Sequence, residues 1–66
     1  MRLRIDENSD ALYFRIDDSK IVESEEVSPG VILDFNEQNE VVGIEILHIS
    51  KRSTPADLRS LHYESV

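Results

Sequence analysis

Apolar and polar residues alternate with a period of two at two places in this 66-residue chain, and each place predicts a β-hairpin. In the first, RLRID and ALYFRI flank the turn formers around Asn8-Ser9. With the tip there, Ile5 pairs with Leu12, Leu3 with Phe14 and Met1 with Ile16, so six apolar side chains share one face. The other face sets Arg4 opposite Tyr13, a cation–π geometry. It also sets Arg2 opposite Arg15, an unfavourable like-charge pair. In the second, GVILDF and EVVGIEIL flank Gln38-Asn39. Phe35 then pairs with Val42, Leu33 with Ile44 and Val31 with Ile46, while Asp34 faces Gly43 and Ile32 faces Glu45. A slip of one residue would set Leu33 against Gly43 and lose the match.

Between the hairpins, DDSKIVESEEVSPG has few large apolar groups and many acids. It has room for a short edge strand, whose charges would discourage pairing with other chains. Pro29-Gly30 suits a type II turn. After the second hairpin, Thr54 is placed to cap a helix, Pro55 fits its first position and Asp57 its first turn. Leu58 and Leu61 lie on one side, and the pattern predicts about two turns, roughly Pro55 to His62. The expected fold is therefore mostly β (α+β): an antiparallel four-stranded meander of two hairpins with a short C-terminal helix. The chain reads as one small domain, with the sheet in 1–49 and the helix and tail in 50–66.

The stretch VVGIEILHIS, residues 41–50, is apolar at odd and even positions alike and calls for cover on both sides. The two hairpins present twelve large apolar residues on one sheet face, and the only lid is a helix offering Leu58, Leu61 and Tyr63. A helix is about 10 Å wide, whereas four strands span roughly 15–20 Å. Each large apolar side chain left in water forgoes roughly 1.5–3 kcal/mol. The back of the last strand adds Val41, Leu47 and Ile49. A homodimer, packed sheet to sheet or by exchanging helices, is the economical remedy.

Composition narrows the alternatives. Cysteine is absent, which removes disulfides and thiolate chemistry. Fourteen acidic and seven basic residues give a net charge of −7, which disfavours nucleic acid and anionic membranes. The acidity is concentrated: residues 17–49 carry nine acids against Lys20. No secretory pattern or membrane-length apolar run is present, so a cytoplasmic location is expected.

The candidate chemistry is thin. Asp34 and Glu45 share a face as a possible carboxylate pair for acid–base work or a cation. The plainer expectation is that Asp34 bonds nearby backbone and Glu45 pairs with a basic side chain. His48 and His62 are too few and too far apart in sequence for zinc, and Ser50, Ser53 and Thr54 near Lys51 read as cap and linker. No glycine-rich phosphate loop exists. Lys51 and Arg52 are a poor nucleic-acid footprint in an acidic chain. The acids Asp17, Asp18, Glu23, Glu25 and Glu26 would steer a basic partner or imitate its RNA, or else form a solvated loop.

Asp10-Ala-Leu-Tyr13, the acidic link from Glu23 into Pro29-Gly30-Val31, Asp34, and Gly43-Ile-Glu-Ile-Leu47 together resemble the small prokaryotic family catalogued as domain of unknown function 2283. The likeness spans about residues 6–51, and Gly-Ile-Glu-Ile-Leu is its most specific piece. The family often has Gly near the second hairpin tip, where Asn39 stands here. The resemblance implies no active site; some members look like antidote halves of toxin–antitoxin pairs. The expected function is a non-enzymatic protein-interaction module without catalytic, metal or cofactor residues, with an antitoxin binding a small basic toxin as its specific form. The alternative is a structural homodimer with no heterologous partner. Contacts are expected from Leu47, Ile49, Leu58, Leu61, Tyr63, Glu23, Glu25 and Glu26.

Overall fold

A computed structural model describes all of residues 1–66. Five antiparallel strands form one sheet: β1 (Arg2–Asp6), β2 (Ala11–Arg15), β3 (Glu23–Ser28), β4 (Val31–Phe35) and β5 (Val41–Leu47). A 3₁₀ turn (Ile49–Lys51) and one short helix, α1 (Pro55–Arg59), follow. The order across the sheet is β1-β2-β5-β4-β3. This corrects the expected four-stranded meander on two counts. The acidic segment forms a fifth strand, and the two hairpins meet through β2 and β5 instead of running in sequence order.

The first hairpin has the register that its alternation predicts: Leu3 lies opposite Phe14, Ile5 opposite Leu12 and Arg4 opposite Tyr13. Its loop is tied by Asp6, whose carboxylate accepts the backbone N–H groups of Asn8 at 3.0 Å and Ser9 at 3.3 Å. Those bonds, led by that from Ser9, hold the Asp6 carboxyl below the ordinary carboxylate range. The like-charged pair Arg2 and Arg15 does face across the strands. Arg15 donates instead to the carbonyls of Asp17, at 2.5 Å, and Ser19, which occupies its guanidinium beyond the strand end.

In the second hairpin Val31, Ile32, Leu33 and Asp34 pair with Ile46, Glu45, Ile44 and Gly43 as predicted. At the next position the register breaks, and Phe35 lies opposite Val41, not Val42. A bulge inserts one residue and bends the strand carrying it. Here it coincides with Val42 sinking to 1% exposure, the most buried large side chain in the protein. The tip is stabilised by Asn36, a buried polar residue. Its side-chain oxygen accepts the N–H groups of Gln38 at 3.0 Å and Glu40 at 2.9 Å, and its amide donates to the Glu40 carboxylate at 3.1 Å. Asn39 takes a left-handed φ of 62°, a conformation that Asn tolerates better than most side chains.

β3 has all six residues exposed. It is held by backbone pairing with β4, with a shift between Glu26 and Ser28 that leaves Val27 half exposed. Gly30 takes a φ of 77° in the following turn, the value that the Pro-Gly pair supplies at low cost. α1 begins at Thr54, whose hydroxyl accepts the N–H of Asp57 at 3.1 Å. It ends at Arg59, a turn earlier than the spacing predicts. Five residues leave most helical N–H and C=O groups without intrahelical partners, so Leu61 and Tyr63 fall in the tail beyond it.

Candidate functional site

Residues directly opposite in a sheet share a face, so the register divides the side chains between two surfaces. One surface carries Leu3, Phe14, Ile44 and Leu33 in one row and Ile5, Leu12, Ile46 and Val31 in the next. None of these eight side chains is buried; all are partly exposed. Of the twelve residues expected on this face, Val42 alone is fully sheltered, and Met1 is 88% exposed. α1 reaches only one end of it. Pro55, Leu58 and Arg59 border a notch of about 180 Å³ together with Ile5 and Ile49, and Arg59 pairs with Glu7 at 3.3 Å.

The molecule is correspondingly flat, with principal extents of 37 × 30 × 20 Å and a radius of gyration of 12.8 Å. A compact chain of this length would have a radius near 11 Å. Its accessible surface is 5169 Å², against about 4,300 Å² for a typical folded monomer of this mass. The difference, about 900 Å², comes from the uncovered sheet together with the exposed tail after α1. Glu25 lies opposite Leu33, and Glu23 opposite Phe35. The open face is therefore apolar across its middle and acidic along its β3 margin.

The opposite surface is polar, and its centre is an interstrand lock. The Tyr13 hydroxyl donates to Asp34 at 2.7 Å, and Ser24 donates to the other Asp34 oxygen at 2.5 Å, linking β2, β4 and β3 across β5. Gly43 lies beneath. A Cβ there would sit 2.6 Å from the Tyr13 hydroxyl and 2.7 Å from Asp34 Oδ2. Glycine is required for this close approach, and its φ is not in the left-handed region. Burial, together with the bond to Asp34, pushes the Tyr13 phenol above its ordinary range. These contacts correct the plainer expectation for the two acids. Asp34 bonds side chains of other strands rather than local backbone, and Glu45 joins neither of the two ion pairs in the structure. Glu45 instead borders a shallow depression of about 260 Å³ with Arg4, Asp6 and Tyr13.

A second lock joins the first hairpin to the chain after β5. Asp10, at a φ of 55°, accepts the Ser50 N–H at 2.9 Å and the Ser50 hydroxyl at 2.7 Å. Its carbonyl accepts the Ile49 N–H at 3.0 Å. The Ser50 hydroxyl bond is the largest of the effects holding the Asp10 carboxyl below the ordinary range. These bonds position Ile49, whose side chain is buried.

The family model for the protein of unknown function DUF2283 matches residues 2–50. The chain belongs to that family. In this DUF2283 chain, the residues that carried the likeness hold the two locks: Asp10, Tyr13, Asp34 and Gly43. Each of these makes a contact between strands or between a turn and the chain after β5. No curated protein and no solved structure matches the chain. No helix is long and apolar enough to cross a membrane, and no three His, Asp or Glu side chains gather as a metal site.

The contact residues expected from sequence divide accordingly. Ile49 is buried and so is not a free contact, whereas Leu47, paired with Ala11, is half buried on the polar side, away from the open apolar face. Leu58 lines the notch beside Ile5, whereas Leu61 and Tyr63 stand exposed in the tail. Glu23, Glu25 and Glu26 are brought together on the exposed edge strand. Tyr13 and Asn36 were not among the expected site residues. Glycine inside a strand pattern, Gly43, was the available signal for a close approach, but no local pattern says that Tyr13 is what approaches.

Proposed function

We propose that this chain is a non-enzymatic, cytoplasmic protein-interaction module whose working surface is the open apolar face of its sheet. The observation that carries this reading is the face itself: eight large apolar side chains in two rows, none buried, with a helix of five residues over one end. Extended apolar surface of this kind marks an interaction site in a soluble protein. The acidic edge strand supplies a second feature, a field that attracts basic partners.

The specific form of the proposal is an antitoxin that masks a small basic toxin, with the β3 acids steering the encounter and Leu58, Leu61 and Tyr63 adding contacts. The net charge of −7 supports a basic partner over nucleic acid. The test is calorimetric titration with the purified product of the adjacent reading frame, beside a growth assay with that product expressed alone and together with this chain. Growth arrest relieved by co-expression, and a complex that weakens as salt rises, are expected. A neighbour that neither arrests growth nor binds refutes the antitoxin form.

A further inference from the structure

We propose that residues 60–66 form a strap that closes over the open apolar face and lifts off when a partner takes its place. This names the regulation of the surface that carries the proposed function, and it rests on that reading. Three observations choose this occupant: where the segment starts, which way its side chains project and how far it reaches.

The segment starts at the face. Leu58, near the end of α1, is half buried in the notch beside Ile5, and Arg59 pairs with Glu7. Beyond Ser60 no hydrogen bond ties the chain to the sheet, and residues 61–66 contain no turn. His62 Nε2 lies 3.9 Å from a Glu64 carboxylate oxygen. Alternate side chains of an extended segment share a side, so Leu61 and Tyr63 project from the other. They are 65% and 84% exposed, an apolar pair without cover beside an apolar face without a lid.

The reach fits one row of the sheet. Extended past Arg59, the chain carries Leu61 about 7 Å and Tyr63 about 13 Å from it. The row Ile5, Leu12, Ile46 and Val31 crosses β1, β2, β5 and β4 in about 14 Å. A strap laid along this row from Ile5 sets Leu61 between Leu12 and Ile46 and the Tyr63 ring on Val31. The phenol hydroxyl then points to the acidic β3 margin, where Glu25 stands opposite Leu33. A tyrosine so placed buries its ring and keeps its polar end wet. His62 and Glu64 stay in water on the outer side. The tether makes closure intramolecular, with an effective concentration on the order of millimolar, so no second chain is needed. Two anchors make a weak strap. A partner that covers more of the face displaces it and frees Leu61 and Tyr63 for the contacts proposed above.

The test puts a fluorophore on the strap of the full chain. The sequence has no tryptophan, so Tyr63→Trp supplies a single indole, read by its emission and by acrylamide quenching over a dilution series. Nile red, an uncharged apolar dye, reports the open face. The folded chain should emit to the blue of the same chain in urea and be quenched several-fold more slowly, at every concentration. Adding Leu61→Ser should return emission and quenching to the urea values and raise Nile red fluorescence several-fold. Circular dichroism of both variants establishes that the sheet is folded, as expected for changes at such exposed positions. An indole quenched as fast as in urea, or protection that Leu61→Ser leaves intact, overturns the strap; Nile red bound by both chains then leaves the open face standing. Protection lost on dilution overturns the strap in favour of a second copy on the face. Nile red that binds neither folded chain removes the open face, and with it the proposed function.

Discussion

Gly43→Ala is the smallest change that probes the polar lock. The new methyl would lie 2.6 Å from the Tyr13 hydroxyl, 2.7 Å from Asp34 Oδ2 and 3.2 Å from Tyr13 Cζ. The first two separations are too short for any Cβ contact, so the 2.7 Å bond between Tyr13 and Asp34 must open or β5 must shift. Losing a hydrogen bond to a charged acceptor costs about 1.5–3 kcal/mol, and the crowding adds about 1 kcal/mol or more. Relief of glycine's backbone entropy returns roughly 0.5–1 kcal/mol. The expected net loss is about 2–3 kcal/mol. For a domain of this size that lowers the melting temperature by roughly 10–20 °C. Urea unfolding followed by circular dichroism measures it, for Gly43→Ala, Tyr13→Phe and the double variant. Removing the hydroxyl opens the space that the methyl needs, so the two effects should couple by at least about 1 kcal/mol. A Gly43→Ala cost below about 0.5 kcal/mol, or strict additivity with Tyr13→Phe, would refute this account of the glycine.

Three further outcomes follow from the other contacts. Tyr13 has a folded pKa raised above the ordinary 10.0, so the folded state holds its proton more tightly than the unfolded one. Its contribution is full below pH 10 and is lost as pH rises through the folded value; Tyr13→Phe should remove this alkaline loss from a pH series of urea midpoints. Asn36→Ala deletes three bonds at a buried hairpin tip and should cost about 2–3 kcal/mol, read by the same unfolding assay. Asp10 has a depressed pKa, so its contribution is present above the unfolded value near 3.8 and is lost as pH falls through the folded one. Asp10→Asn should flatten that acid limb and speed amide exchange at Ile49 and Ser50.

Much of the sheet was legible because alternation is local. Leu3, Ile5, Leu12 and Phe14 announce both the hairpin and its register, and one turn sets the pairing. The same logic works in the second hairpin until Phe35, where the bulge defeats strict period-two counting. β3 was legible only as room for a short edge strand, because alternation is a sign of one buried face and every residue of ESEEVS is exposed. Helix capping at Thr54 was legible from residue type and spacing. The early stop at Arg59 was not, since a helix so short gains little without packing.

The candidate site divides along the same line. An excess of apolar sheet over available lid can be counted from composition and period, and the open face is its structural counterpart. The polar lock depends on β2 lying beside β5, a pairing between segments about thirty residues apart with no tight turn to set it. Only that adjacency brings Tyr13 over Gly43 to reach Asp34. The amino-acid order determined the two hairpins, their inward faces and the shortage of cover, because each follows from neighbours along the chain. The tertiary structure decided the strand order, the pairing of the edge strand β3 with β4 and the Tyr13–Asp34 contact, because backbone pairing across the sheet brings together residues whose local patterns carry no mark of one another.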